Sequence, residues 1–209
     1  MIEVNAHTTE TTLKPCWSCK GPTSVTSLFC PTCKAVQPPA PVDLFARMGV
    51  AQGFDVDVPA LDRLYFDLQR QLHPDRFATK SPKEKALSQQ QATALNDAYE
   101  TLKDPLKRAD YLVHLLGVDV LPEGCNLVRD QSILMEAMEM RERLASADTM
   151  EALNAIQRET KAEIDDVLTG LSLAFKGGDI EGACQLTTRL KYLDKMMGEV
   201  RQGRARLLS

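Results

Sequence analysis

Two groups of residues in this 209-residue chain have the types and spacing that chemistry needs. The first is Cys16-x-x-Cys19 with Cys30-x-x-Cys33. A two-residue gap lets both thiolates of a pair turn onto one metal ion, and two such pairs complete a tetrahedron. Zinc suits four thiolates best; iron in the same cage, or two disulfides, are the alternatives. Protein fills all four ligand places, so the site is expected to be structural and not catalytic. A segment of about 25 residues cannot bury a core of its own, so the metal would supply its folding energy. Trp17 and Phe29 flank the ligands and read as caps on the knuckle, while Cys125 and Cys184 stand alone and read as packing thiols.

The second group is His73-Pro74-Asp75. Pro74 lacks an N–H and biases His73 away from the α region, so a regular helix cannot run through this point. Taken alone, the tripeptide reads as a solvated turn, as a His/Asp metal or catalytic pair, or as a recognition tip between helices. No third ligand or nucleophile stands nearby to complete the second of these.

The elements around the tip decide how it is displayed. Val42 opens a short helix with Leu44, Phe45 and Met48 as anchors, closed by Gly49. Asp57 is a good N-cap with Pro59 in the first turn, and Leu61, Leu64, Tyr65, Leu68 and Leu72 mark one face at helical spacing. Beyond the tip, Ser81-Pro82-x-Glu84 combines a capping box with proline at the first helical position. Leu87, Leu95, Ala98, Tyr99 and Leu102 carry the apolar stripe on to Lys103. Two such helices bury their stripes by lying antiparallel, which pushes His73-Pro74-Asp75 out at one end.

This composite resembles the J-domain of DnaJ-type co-chaperones. The resemblance is carried by the short first helix, by Leu68-x-x-x-Leu72-His73-Pro74-Asp75, and by Asn96-Asp97-Ala98-Tyr99-x-x-Leu102-x-Asp104-Pro105. In that family the tip docks on a DnaK-class chaperone and triggers its ATP hydrolysis, steered by the basic side of the preceding helix. By position, the resemblance implies docking through His73, Pro74 and Asp75, with Arg63, Arg70 and Arg76 as electrostatic helpers. Asp62 and Asp67 dilute the basic stripe. Asp104 then caps a helix from Pro105 that ends at Gly117, with His114 read as a partly buried structural histidine. The string Pro105-Leu106-x-Arg108-Ala109-x-Tyr111-Leu112 is similar to the HscB (Jac-type) branch of J-proteins, which serves iron–sulfur cluster assembly.

Residues 130–209 are expected to form an antiparallel three-helix bundle. Asp130 caps its first helix, where Ile133, Ala137, Met140 and Leu144 share a narrow core stripe. Leu134, Met135 and Met138 fall nearly opposite, beside Glu139 and Glu142, and are surplus to a single core face. The second helix runs over about 150–175, Gly177-Gly178-Asp179 stops it, and the third carries a seam of Ala183, Leu186, Leu190, Leu193, Met197 and Val200. The strings Val128-Arg129-Asp130, Leu134-Met135-Glu136 and Leu190-Lys191-Tyr192-Leu193-Asp194-Lys195 also resemble HscB, whose C-terminal domain captures the scaffold IscU through an apolar patch with neighbouring acids. That resemblance implies a patch of Leu134, Met135, Met138, Glu139, Glu142 and Tyr192.

The fold expected is therefore all-α: a J-domain helical hairpin over 42–117, a connecting loop over 118–129, and a three-helix bundle over 130–209. A four-cysteine zinc knuckle over 1–37 precedes it, joined by a proline-rich linker over 38–41. The function implied is a non-enzymatic co-chaperone that stimulates a DnaK-class (HscA-like) ATPase while holding an IscU-type scaffold. A general J-domain co-chaperone with another client is the alternative. A net charge of −4 with 5% aromatic residues disfavours nucleic acid as partner. No apolar run approaches the roughly 20 residues that span a bilayer, so no membrane is expected. The first residues lack an apolar export core, which favours a cytoplasmic protein, or a mitochondrial matrix one if a transit peptide has been removed.

Overall fold

The computed structural model describes residues 13–118, 120–121, 124–125 and 131–208; of these, the side chains of 120–121, 124–125, 131–134 and 137 are not described. Two compact units make up the chain. One contains the chain up to Gln52 together with Asp57–Glu100; the other contains Gly53–Val56 together with Thr101 onward.

Helices begin where a short polar side chain satisfies an amide N–H that the first turn leaves free. Asp43 caps α1 (Leu44–Met48), accepting from the Ala46 N–H at 2.9 Å, and Gly49 closes it with φ of 70°. Asp57 caps α2 (Val58–Leu72) through the Ala60 N–H at 3.0 Å. Before α3 (Pro82–Lys103), Ser81 and Glu84 exchange amide-to-side-chain bonds of 3.2 and 3.3 Å, the reciprocal box expected. In the first unit Phe45, Met48, Leu61, Leu72, Phe77, Leu87, Leu95 and Ala98 are buried, so α2 and α3 face each other through the stripes their spacing implied.

The second unit holds α4 (Pro105–Leu115), α5 (Gln131–Ala145), α6 (Met150–Gly177) and α7 (Ile180–Leu208). Asp104, Thr149 and Asp179 cap α4, α6 and α7, and Gly178 closes α6 in the left-handed region at φ of 71°, where a side chain would be strained. α6 and α7 form the main hairpin, and α4 and α5 both pack on α7. One core cluster joins Val113, Ala174, Ala183 and Cys184; another sets Met140, Leu144 and Ala147 against Ile156, Met196 and Val200. Phe54 stacks on Phe175 at 5.6 Å, and Asp55 accepts from Lys176 Nζ at 2.5 Å and Ser172 Oγ at 2.7 Å. The Lys176 bond, then the Ser172 bond, hold the Asp55 carboxyl below the usual carboxylate range.

The all-α reading holds, with two short additions. β1 (Leu13–Pro15) pairs antiparallel with β2 (Pro22–Ser24), and β3 (Val120–Leu121) pairs with β4 (Gly124–Cys125) inside the stretch expected to be irregular. Cys184 is buried and disulfide-bonded, not a simple packing thiol. His114 is exposed, not partly buried, with Nδ1 2.8 Å from the Asp110 carbonyl. None of the described helices is long and apolar enough to cross a membrane.

Candidate functional site

The four cysteines converge. Their Sγ atoms lie within 4.8 Å of one another, with Cys16–Cys33 and Cys19–Cys30 both at 3.7 Å. A tetrahedron of thiolates about 2.3 Å from zinc has edges of about 3.8 Å, so this donor set fits a four-thiolate ion and is far too open for disulfides. Each half of the knuckle repeats one turn. Cys16 and Cys30 donate their N–H groups to Gly21 and Ala35, and accept from Lys20 and Lys34. Those two lysines sit at φ of 63° and 60°, a conformation that costs a non-glycine residue of order 1 kcal/mol.

The surroundings of Cys16 favour a thiolate. Burial opposes its ionisation, yet the amides of Cys19 and Ser18 and the Gln37 side chain outweigh burial and draw it down to about 6. Cys19 goes the other way. The Gly21 amide favours its charged form, but Cys33 and burial push it up to about 11. Without a cation, thiols this close cannot all ionise. Gln37 is the hinge of this arrangement. Fully buried, it donates Nε2–H to Cys16 Sγ at 3.3 Å and to the Ala35 carbonyl at 2.9 Å. Its main-chain carbonyl accepts from Gln91 Nε2 on α3 at 2.9 Å. Trp17 donates to the Val36 carbonyl at 2.8 Å and carries Lys83 of α3 over its ring at 4.4 Å. Within the first unit, the knuckle is fastened to the helical hairpin.

His73, Pro74 and Asp75 stand at the exposed end of that hairpin. His73 closes α2 and opens a single 3₁₀ turn, Pro74–Phe77, whose last residue is buried as an anchor. Its Nδ1 accepts from the Asp75 N–H at 3.3 Å, leaving the rest of the ring to solvent. The end of α2 is tied to α3: Ser88 Oγ donates to the Leu72 carbonyl at 2.7 Å, in a buried position. Further along, Tyr65 and Tyr99 stack at 3.8 Å, and Tyr65 donates to Asn96 at 2.9 Å. Desolvation first, then Tyr99, raises the Tyr65 phenol. Arg63, Arg70 and Arg76 are all exposed. Of the two diluting acids, Asp67 pairs with Arg70, and Asp62 accepts from Tyr99 at 2.9 Å.

In the second unit, Met135 and Met138 of α5 are exposed at 62% and 64%. Met138, but not Met135, lines a cavity of about 470 Å³, with Glu139 and Met140 of α5 and Tyr192, Leu193 and Met196 of α7 among its walls. Glu142 is exposed one turn on. The Leu134 side chain lies outside the described residues. Met138, Glu139 and Tyr192 are thus brought to one place.

Two family models match the chain. The model for the DnaJ domain matches residues 43–111, and that for the HSCB C-terminal oligomerisation domain matches 129–201. The iron–sulfur cluster co-chaperone protein HscB of Mus musculus is 36% identical over 205 residues, covering 96% of this chain and 87% of its own length. The chain belongs to the HscB family of co-chaperones. The crystal structure of human HscB matches with a TM-score of 0.86 at 35% identity, covering 92% of this chain and 99% of that one. HscB from Vibrio cholerae matches with a TM-score of 0.70 at 34% identity, over 79% of this chain and 99% of that one.

Within this HscB-family chain, sequence reasoning missed the residues that hold the sites in place. Arg189 of α7 reaches Glu163 of α6 at 2.6 Å and Glu136 of α5 at 3.0 Å, bridging three helices at the cavity. Arg143 adds a 2.5 Å pair to Glu159. Arg189 lies one turn before Tyr192, but nothing in its own position names two acids on other helices as partners. Ser88 and Gln91 read as ordinary polar helix residues and are buried at the hairpin's joints.

Proposed function

We propose that this chain couples two partners: a DnaK-class (HscA-like) chaperone, engaged by the tip, and an IscU-type iron–sulfur scaffold, held by the second unit. The tip supplies His73, Pro74 and Asp75, with Arg63, Arg70 and Arg76 steering the encounter. Charges at such a rim act mainly on association rate and salt dependence. The tip does no chemistry itself. It biases the chaperone toward its hydrolysing conformation by binding that conformation better than others. The scaffold docks on Met135, Met138, Glu139, Glu142 and Tyr192, with Leu134 by position. The metal in the knuckle is zinc, held by Cys16, Cys19, Cys30 and Cys33 for structure. The relatives named for iron–sulfur cluster work support the client, and the observation that carries the reading is the exposed Met138 in the wall of a cavity it shares with Tyr192, with Met135 exposed one turn before it. Unbranched thioether side chains suit an adaptable contact, and that much exposed apolar surface marks a binding face.

Capture of purified IscU tests the assignment. Met138→Asp combined with Tyr192→Ala is expected to weaken binding about tenfold or more. Failure of the unaltered chain to bind, or binding indifferent to the double substitution, sinks the scaffold assignment and leaves a general J-protein with another client.

A further inference from the structure

The second unit carries a covalent bond that the proposed function does not use. Cys184, in the second turn of α7, is fully buried and disulfide-bonded. It packs with Val113 of α4, Ala174 of α6 and Ala183, and Val118 and Phe175 lie against the same cluster. The chain has six cysteines, and Cys16, Cys19, Cys30 and Cys33 are free. That leaves Cys125, at the end of β4, to bond Cys184. The backbone agrees, since β4 packs against α7. A bond there also accounts for how so small a hairpin keeps its place. An isolated two-stranded ribbon is marginal in water, and β3 and β4 have only two residues each. Joining β4 to α7 closes a loop of roughly 60 residues that contains α5 and α6, and long loops gain most from closure.

We infer that Cys125 and Cys184 form a reversible redox lock on the second unit. Oxidised, it pins the segment before α5 to α7; reduced, it leaves that segment to the small hairpin alone. The four-cysteine knuckle argues for reversibility. Its thiols lie within 4.8 Å of one another and can serve a metal only while they stay reduced. A chain that keeps four thiols reduced works where disulfides are gained and lost, not where every thiol oxidises. The lock closes by exchange with a small disulfide of the glutathione class. One cysteine thiolate attacks its sulfur–sulfur bond and releases one small thiolate; the other cysteine, as thiolate, then displaces the second. Two protein thiols are oxidised to one disulfide, the small disulfide is reduced to two thiols, and the two protein thiol protons end on those. The unit so controlled carries Met135, Met138 and Tyr192, but the lock does not rest on the scaffold reading.

Peptide mapping and thermal melts of the full chain, with zinc supplied throughout, test the lock. After equilibration with oxidised glutathione, alkylation and digestion without reductant should yield one linked pair of peptides, joining Cys125 to Cys184 of the same chain. Excess reduced glutathione should open the link and lower the melting temperature by about 10 °C. Returning that sample to the oxidised buffer should restore both link and melt. Cys125→Ser should melt at the lower temperature in either buffer, so the reading is its lost response to reductant. Cys125 and Cys184 both alkylated after oxidation, or Cys184 joined to a knuckle cysteine or to a second copy, overturns the inference. So does a melt of the unaltered chain that is indifferent to reductant, or a link that excess reduced glutathione cannot open.

Discussion

At the scale of single residues, Gln37 does the most unexpected work. A cage of four thiolates concentrates negative charge, and a neighbouring N–H donor is what lets the innermost sulfur carry its share. Gln37 provides that donor to Cys16, while its main-chain carbonyl is held by α3. Outer partners of metal ligands commonly change metal affinity ten- to a hundredfold. Gln37→Ala is therefore expected to release metal to a competing chelator about tenfold more readily, followed with a zinc-responsive dye. Equal retention by both proteins would show that the bond to Cys16 is incidental. The cysteine spacing made the cage legible, because the geometry of two such pairs is local. Gln37 was not legible, since its partners lie 21 and 54 residues away and its type says nothing about burial.

At the scale of elements, the tip owes its fixed position to a joint between α2 and α3. A helix leaves its last carbonyls unpartnered, and here Ser88 satisfies the one at Leu72 out of reach of water. Removing the hydroxyl leaves a buried acceptor without its donor, which costs about 1–3 kcal/mol. Ser88→Ala should lower stability by that amount in denaturant unfolding, and no loss would mean that water reaches the carbonyl. The helices themselves were readable because their signals are local: Asp57, Asp104 and the Ser81–Glu84 box act within three residues of their own positions. The joints were not readable, because Ser88 serves a carbonyl 16 residues back and Arg189 an acid 26 residues back. The β3–β4 pair escaped for a related reason, as four residues of strand carry no periodicity to detect.

At the scale of the whole molecule, each unit presents a surface of a different kind. The first offers a small exposed turn, the second exposed methionines on a helix joined to its neighbours by ion pairs among α5, α6 and α7. The two faces were legible to different degrees. Pro74 marked where α2 stops, and the spacing of Met135 and Met138 marked side chains the core leaves exposed. The depth of the cavity and the Arg189 bridge that shapes it depend on helix packing, which spacing along one helix does not encode. On the proposed function this chain joins two partners, and coupling is reciprocal: a scaffold that binds the second unit should change what the tip achieves. The most direct measurement is the ATPase rate of an HscA-like chaperone with this chain, with and without purified IscU, beside His73→Gln. The account predicts stimulation by the chain, a further increase when IscU is added, and none with His73→Gln despite unchanged IscU binding. Full stimulation by His73→Gln, or a rate indifferent to the unaltered chain, would contradict it.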